Sequence, residues 1–254
     1  MIDSKQFIYT RHKNQKINYD NVLKELIKEW SKNSFRPKIL IHSCCAPCST
    51  YVLEYLSEFS DITIFFSNSN IHPKEEYIKR MLVQKDFVEE FNRRNDKKIK
   101  FLADEYSPSK FIRAVKGYED EREGGERCHI CYEMRLDLSA QKALELGYDY
   151  FASALTISPK KNAQIINETG YVLQEQISIY YLPSDFKKNN GYRRSVEMCE
   201  DYNIYRQCYC GCVFAAKDQG IDFKEINKNA REFNNNHEDY ERFKSIIKLG
   251  GEIV

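Results

Sequence analysis

The sequence predicts an α/β protein built on a mainly parallel sheet flanked by helices. Short aliphatic runs of strand length alternate with longer segments of helical periodicity. The first run, Lys38-Ile39-Leu40-Ile41-His42, has the length and aliphatic content of a buried parallel strand and ends directly in small and polar residues. The 254-residue length suits one large domain with terminal additions.

The elements follow in order. Val22, Leu23, Leu26, Ile27 and Trp30 recur at helical spacing after Asp20, which predicts an amphipathic N-terminal helix capped by Asp20 and packed on the body. After the strand at 38–42 a helix is expected over 47–59, with Pro47 tolerated in its first turn. Ile62-Thr63-Ile64-Phe65-Phe66 reads as the second strand, 74–92 as a long helix, and 98–102 as a third strand. Residues 108–116 read as helix and 119–127 as an acidic loop. Helical spacing resumes over 131–146, and Gly147 makes a stop. Strands at 150–154 and 177–182 are expected on either side of a helix over 160–169. The chain thus divides into an N-terminal helical arm (1–37), a catalytic α/β body carrying the cysteines (38–219) and a C-terminal helical tail (220–254).

Composition is that of an ordinary soluble protein, and no stretch approaches the ~18 consecutive apolar residues a membrane helix needs. The N-terminus lacks the apolar core of a signal peptide. The expectation is a cytoplasmic protein whose thiols stay reduced, which argues against a structural disulfide framework. A formal charge of +1 means that any nucleic-acid binding would rest on local patches.

Nine cysteines are present, and eight fall in three tight groups: Cys44-Cys45-x-x-Cys48, Cys128-x-x-Cys131 and Cys208-x-Cys210-x-Cys212. Such spacing gathers thiolates to hold a soft metal or cluster, or to shuttle electrons. The first group follows the first strand, at the sheet edge where α/β proteins bind ligands. The second belongs at the start of a helix, whose N-terminus favours the thiolate. Two thiols from each make a four-thiolate site suited to zinc or an iron–sulfur cluster, and the vicinal pair after a buried strand favours the cluster. Cys48 is either a further ligand, a ligand to a second metal, or a bystander. Cys210 and Cys212 flank the permissive Gly211, so they can close into a strained, labile disulfide or ligate a metal. Cys208 is positioned to compete with them, and Cys199 reads as a small buried hydrophobe.

Histidines carry less signal. His42 and His129 read as packing or hydrogen-bonding residues, and His72 as a loop residue within possible reach of substrate. Lys160-Lys161, Lys187-Lys188 and Arg193-Arg194 beside Tyr192 form local basic spots for RNA phosphates or else solvated faces. Lys110, Arg113 and Lys116 recur on one helix face and could add to them.

Four segments in order resemble the QueH-type epoxyqueuosine reductase family. They are Ile41-His42-Ser43-Cys44-Cys45-Ala46-Pro47-Cys48, Glu123-Gly124-Gly125-Glu126-Arg127-Cys128-His129-Ile130-Cys131, Ala154-Leu155-Thr156-Ile157-Ser158-Pro159-Lys160-Lys161-Asn162 and Tyr205-Arg206-Gln207-Cys208-Tyr209-Cys210-Gly211-Cys212. The resemblance covers about 38–217 and implies a Rossmann-like sheet akin to the adenine-nucleotide alpha-hydrolase group, with Cys44-Cys45 where that group binds ATP phosphates. It implies reduction of epoxyqueuosine to queuosine and water at the wobble base of tRNAs with GUN anticodons, the last step of queuosine biosynthesis. Cys44, Cys45, Cys128 and Cys131 would bind a [4Fe–4S] cluster, and Cys210 with Cys212 would be the redox-active pair. Family members often carry Asp at the position of Cys48, so an additional iron there would have a changed ligand. The external electron donor is not specified by the sequence; Tyr209, Tyr205 and His42 are the candidate proton donors. Two rival readings are an iron–sulfur-dependent tRNA thiolation enzyme, which lacks support from any Ser-Gly-Gly-x-Asp-Ser phosphate loop, and a non-catalytic zinc-binding module.

Overall fold

Five strands form one sheet: β1 (Lys38–His42), β2 (Asp61–Phe66), β3 (Lys100–Ala103), β4 (Tyr150–Ser153) and β5 (Tyr180–Tyr181). The computed structural model describes residues 1–9, 12 and 15–249. Strand order is β3-β2-β1-β4-β5, and every pairing is parallel. Ten α-helices among the described residues surround the sheet: α1 (Tyr19–Lys32), α2 (Ala46–Leu56), α3 (Lys74–Asn95), α4 (Pro108–Ala114), α5 (Glu126–Glu145), α6 (Ala163–Ile177), α7 (Gly191–Asp201), α8 (Val213–Asp218), α9 (Phe223–Asn235) and α10 (Tyr240–Leu249). This is the expected α/β, Rossmann-like architecture.

The strand alternation sorts the core into two layers. Ile39, Ile41, Ile62, Ile64, Phe66 and Phe101 pack with α1, α2, α3 and α10 on one face. Leu40, Phe65, Leu102 and Phe151 pack with α5 and α6 on the other. Both faces of the central strands are therefore dry, as their unbroken aliphatic runs require. Trp30 anchors α1 and donates its Nε1–H to the Tyr150 hydroxyl at 3.3 Å. Beyond residue 220, α9 packs on α3, where Asn234 Nδ2 donates to the Glu75 carbonyl at 3.0 Å. In α10, Phe243 is fully buried against Phe101.

Four local expectations are corrected. The cap of α1 is Asn18, whose side chain accepts from Asn21 N at 3.4 Å; Asp20 lies in the first turn and pairs with Lys24 at 2.7 Å. The helix expected over 160–169 starts later, behind its Asn162 cap, and continues to Ile177, where Ser178 adopts a left-handed φ of 62°. Consequently the last strand shrinks from 177–182 to Tyr180–Tyr181. Leu182 still donates to the Phe151 carbonyl at 2.9 Å, but Pro183 has no N–H with which to extend the ladder. Finally, α5 begins at Glu126, so Cys128 and Cys131 both lie inside its first turns.

Candidate active site

In this strand order the chain runs outward from β1 in both directions, so the crevice beyond the carboxyl ends of β1 and β4 is the topological switch point. All three cysteine groups border that region, but among the described residues only Cys44, Cys45 and Cys48 bring three sulfurs within 4.8 Å of one another. Cys44 and Cys45 leave β1 and enter α2, with Cys45 at its N-cap and no side chain capping the helix. The turn is pinned from below: Ser43 Oγ donates to Gln84 Oε1 at 2.7 Å, and Asn68 Nδ2 donates to the Ser43 carbonyl at 2.8 Å. Cys48 lies one turn into α2. The Sγ separations are 3.6 Å for Cys44–Cys45, 3.4 Å for Cys44–Cys48 and 2.9 Å for Cys45–Cys48. Such a soft donor trio could hold a metal ion.

The second group projects from the opposite layer. Gly124 N donates to Cys128 Sγ at 3.2 Å, and Arg135 Nη2, one turn along α5, donates to Cys131 Sγ at 2.9 Å. The third group sits on the loop between α7 and α8. Arg80 on α3 clamps that loop by donating to the carbonyls of Tyr209 at 3.3 Å and Cys210 at 3.2 Å. Gly211 has a φ of 108° and touches Ile71 so closely that a Cβ would stand 2.8 Å from Ile71 Cγ1. Only glycine fits that position without strain.

Two adjoining cavities result. The outer, open one has a volume of about 210 Å³, with Cys44, Cys48, Cys208, Cys210, Lys161 and Tyr192 among its walls. The inner, narrow one is bordered by Cys128, Cys131, Cys210, Cys212, Arg127 and Arg135. Cys210, Lys161 and Glu123 border both. Exposure falls along the loop, from Cys208 exposed through Cys210 half-buried to Cys212 buried.

Buried cations set the electrostatics. Burial opposes the charge of Arg135, but Cys131, then Cys210 and Cys44, more than offset it and raise its pKa. Lys161 is 7 % exposed; its Nζ lies 3.3 Å from Cys210 Sγ and 3.1 Å from Glu123 Oε1. Against burial, Cys210, Tyr132 and Glu123 raise its pKa. Hydrogen bonding from Cys45 and Cys48 drives the Cys44 thiol well down. Burial raises Cys45, and hydrogen bonding to Cys44 raises Cys48. One thiolate with two S–H donors is the arrangement those directions describe. Burial pushes Cys131 up to about 11, in spite of Arg135.

The other sequence candidates fall into two sets. His42 lies behind the site, with Nδ1 3.2 Å from Ser153 Oγ and Nε2 3.2 Å from the Ser67 carbonyl; burial lowers its pKa to about 4. Tyr205 donates its hydroxyl to Glu76 Oε1 at 3.1 Å, and Tyr209 donates to the His72 carbonyl. His72 supports the Cys208–Cys212 loop through its N–H, which donates to the Gly211 carbonyl at 2.8 Å, and His129 pairs with Glu126 at 2.8 Å. Of the basic spots, Arg194 is held by Glu54 at 2.7 Å and Arg193 by Glu197 at 3.0 Å, while Lys187 pairs with Asp185 at 2.7 Å. Lys188 donates to Asn18 Oδ1 at 3.1 Å. Lys160 and Arg206 are exposed at the rim of the open cavity. Arg80, Arg127, Arg135, Glu123 and Gln207 were missed as site residues. Gln207 donates to Cys45 Sγ at 2.9 Å. The signal available was the placement of Arg127 and Arg135 around Cys-x-x-Cys, and the polar row Glu76, Arg80 and Gln84 at i, i+4, i+8 beside the apolar residues of α3.

A family model described as epoxyqueuosine reductase QueH matches residues 39–218. The chain belongs to the QueH family. The epoxyqueuosine reductase QueH of Staphylococcus aureus is 61 % identical over 228 residues, 89 % of this chain and 95 % of its own. That of Streptococcus pyogenes serotype M1 is 59 % identical over 92 % of this chain and 91 % of its own, and that of Staphylococcus epidermidis 59 % identical over 92 % and 98 %. The QueH match contains all nine cysteines and every wall of both cavities. No helix among the described residues is long and apolar enough to cross a membrane.

Proposed function

We propose that this chain is an epoxyqueuosine reductase that converts epoxyqueuosine to queuosine at the wobble position of tRNAs with GUN anticodons. The observation that carries the reading is the identity of about six residues in ten, over nine-tenths of both chains, with proteins named for that activity. In this reading Cys44, Cys45, Cys128 and Cys131 hold a [4Fe–4S] cluster, Cys210 with Cys212 is the redox pair, and Cys48 is either a bystander or the thiol available to an additional iron. The residues fit such a group. Their donors are soft thiols, and buried Arg135, which donates Nη2 to Cys131 Sγ at 2.9 Å, keeps an Nε with no hydrogen-bond partner. Arg135, buried beside Cys131, supplies positive charge of the kind four thiolates need in a dry site. Bound there, the cluster supplies electrons singly, and an additional iron would supply Lewis acidity.

The chain's own residues do the rest. Cys210 and Cys212 together store two electrons, which the loss of one oxygen consumes. Arg80 and Gly211 hold their loop against α3. Tyr192, 41 % exposed at the cavity rim, offers an aromatic face to an unstacked base, and Lys160 and Arg206 offer charge to the flanking phosphates.

The test is an anaerobic assay with reconstituted protein, a strong one-electron reductant and epoxyqueuosine-containing tRNA, followed by mass spectrometry of the digested nucleosides. Loss of one oxygen mass is expected. Cys44→Ala and Cys128→Ala should lose cluster iron, whereas Cys212→Ala should keep iron and lose turnover. A nucleoside that gains sulfur, or remains unchanged with iron and tRNA intact, refutes the assignment.

A further inference from the structure

Removing an epoxide oxygen as water breaks two C–O bonds, makes one C=C bond and consumes two electrons and two protons. Closing the Cys210–Cys212 dithiol breaks two S–H bonds, makes one S–S bond and releases the same two electrons and two protons. Dithiol plus epoxide therefore balances disulfide plus alkene plus water. What remains is the route of a proton from the thiols to an oxygen in the open cavity.

The three donors suggested by chain proximity are all committed elsewhere. The Tyr205 hydroxyl donates to Glu76, the Tyr209 hydroxyl donates to the His72 carbonyl, and His42 is fully buried among Ser153, Ser67 and Asn68. Arg206, at the rim, carries a guanidinium that does not give up its proton. Lys160 and Tyr192 stand at the exposed margin. Lys161 differs from all of these. It is a buried ammonium bordering both cavities, 3.3 Å from Cys210 Sγ and steadied by Glu123 at 3.1 Å and by the Tyr132 ring at 5.8 Å.

We propose that Lys161 donates the proton to the departing substrate oxygen and recovers one from the Cys210–Cys212 dithiol as the disulfide closes, with Glu123 as the residue that positions its Nζ. This rests on the epoxyqueuosine reductase reading. It also reassigns Lys161, since a residue whose ammonium points inward at Cys210 does not face an RNA phosphate.

Chemical rescue tests it. Single-turnover oxygen loss is measured for wild type, Lys161→Ala and Lys161→Arg at matched iron content and with tRNA affinity measured in parallel. Lys161→Ala should be slower by ~100-fold or more, with iron and tRNA affinity retained, and methylamine or ethylamine should restore the rate in proportion to its concentration. Lys161→Arg keeps the charge and should stay slow. A Lys161→Ala rate within roughly threefold of wild type, or a slow variant with intact iron that no amine rescues, overturns the proposal. Should Lys161→Ala lose iron, Lys161→Arg decides: a ~100-fold loss supports the donor role and near-wild-type turnover overturns it. A wild-type enzyme that removes no oxygen overturns the reductase reading itself, and this one with it.

Discussion

Replacing Arg80 with Met should unseat the loop that carries Cys210 and Cys212 and cost the fold a large part of its stability. Arg80 and Glu76 form an ion pair at 2.7 Å, with both side chains 1 % exposed. Burial alone would lower the pKa of Arg80, yet Glu76 more than offsets it, so the guanidinium stays charged and depends on its partner. Removing one member of such a pair leaves the other charge buried and costs about 3–5 kcal/mol. The guanidinium bonds to the carbonyls of Tyr209 and Cys210 go as well, while Met recovers some apolar contact. A net loss of about 4 kcal/mol, at about 2–4 °C per kcal/mol in a chain of this size, gives a fall in Tm of about 8–16 °C. The assay is a circular dichroism melt at matched metal loading, because bound metal itself raises Tm. Alkylation of Cys210 in the reduced protein, followed by peptide mass spectrometry, should accelerate in Arg80→Met as its loop comes free. The double variant Glu76→Leu/Arg80→Met removes both charges and should recover about half the loss or more. A single variant melting within about 3 °C of wild type, or a double variant falling by the sum of the two singles, refutes the reasoning.

Other sites give sharper local tests. Gly211→Ala combines a φ of 108° with a Cβ 2.8 Å from Ile71 Cγ1, so turnover should collapse while iron content holds; normal turnover would show that the loop accommodates a methyl. Gly170→Ala would drive a methyl into the Tyr181 ring between α6 and β5, costing about 1–3 kcal/mol, which an unchanged urea midpoint would contradict. Apo-protein titrated with cobalt(II) should develop thiolate charge-transfer absorption, and Cys48→Ser should weaken it. Burial holds Cys45, and hydrogen bonding to Cys44 holds Cys48, in the protonated form at neutral pH, so metal must expel protons. Cobalt affinity should therefore rise between about pH 6.5 and about pH 8.5, and a pH-independent affinity would exclude that protonation pattern.

The sheet was legible because β1 and β2 are buried on both faces, which leaves no polar residue inside the runs Ile39–Ile41 and Ile64–Phe66 to blur the signal. The last strand was misjudged for an equally physical reason. Ile177 serves the apolar stripe of α6, and a short aliphatic run cannot declare which element owns it. Among the thiols, spacing alone brought Cys44, Cys45 and Cys48 together, since three residues make about one helical turn. The cations were hidden because their partners are far along the chain. Lys161 reads as half of a surface Lys-Lys pair until the loop 49 residues away delivers Cys210, and Arg80 meets Cys210 across 130. The candidate proton donors rested on chain proximity alone. Chain proximity to a motif does not fix where a side chain points, and the hydroxyls of Tyr205 and Tyr209 were claimed by Glu76 and His72.

These distant partners explain why a nucleotide-type scaffold can carry thiols where phosphates usually sit. Both α2 and α5 open at the switch point, with Cys45 and Gly125 at their N-caps; no side chain caps α2, whereas at α5 Glu121 Oε2 accepts from Glu126 N at 3.3 Å. The start of α2 is therefore left for whatever anion arrives, and the helix dipoles favour negative charge at both starts. In a phosphate-binding protein that anion is the ligand. Here the chain brings its own sulfur: Cys44, driven down by hydrogen bonds from Cys45 and Cys48, stands at one helix start, and Cys128 Sγ, accepting from Gly124 N, at the other. Four thiolates would repel one another in a dry crevice, and the helix ends supply only about half a charge each. Arg135, buried and donating to Cys131 Sγ at 2.9 Å, offsets part of such a charge, whereas Lys161 is shared with Glu123 at 3.1 Å and Arg127 with Asp218 at 3.8 Å. In the four-thiolate reading Arg135 would therefore belong to the centre as much as the cysteine spacing does.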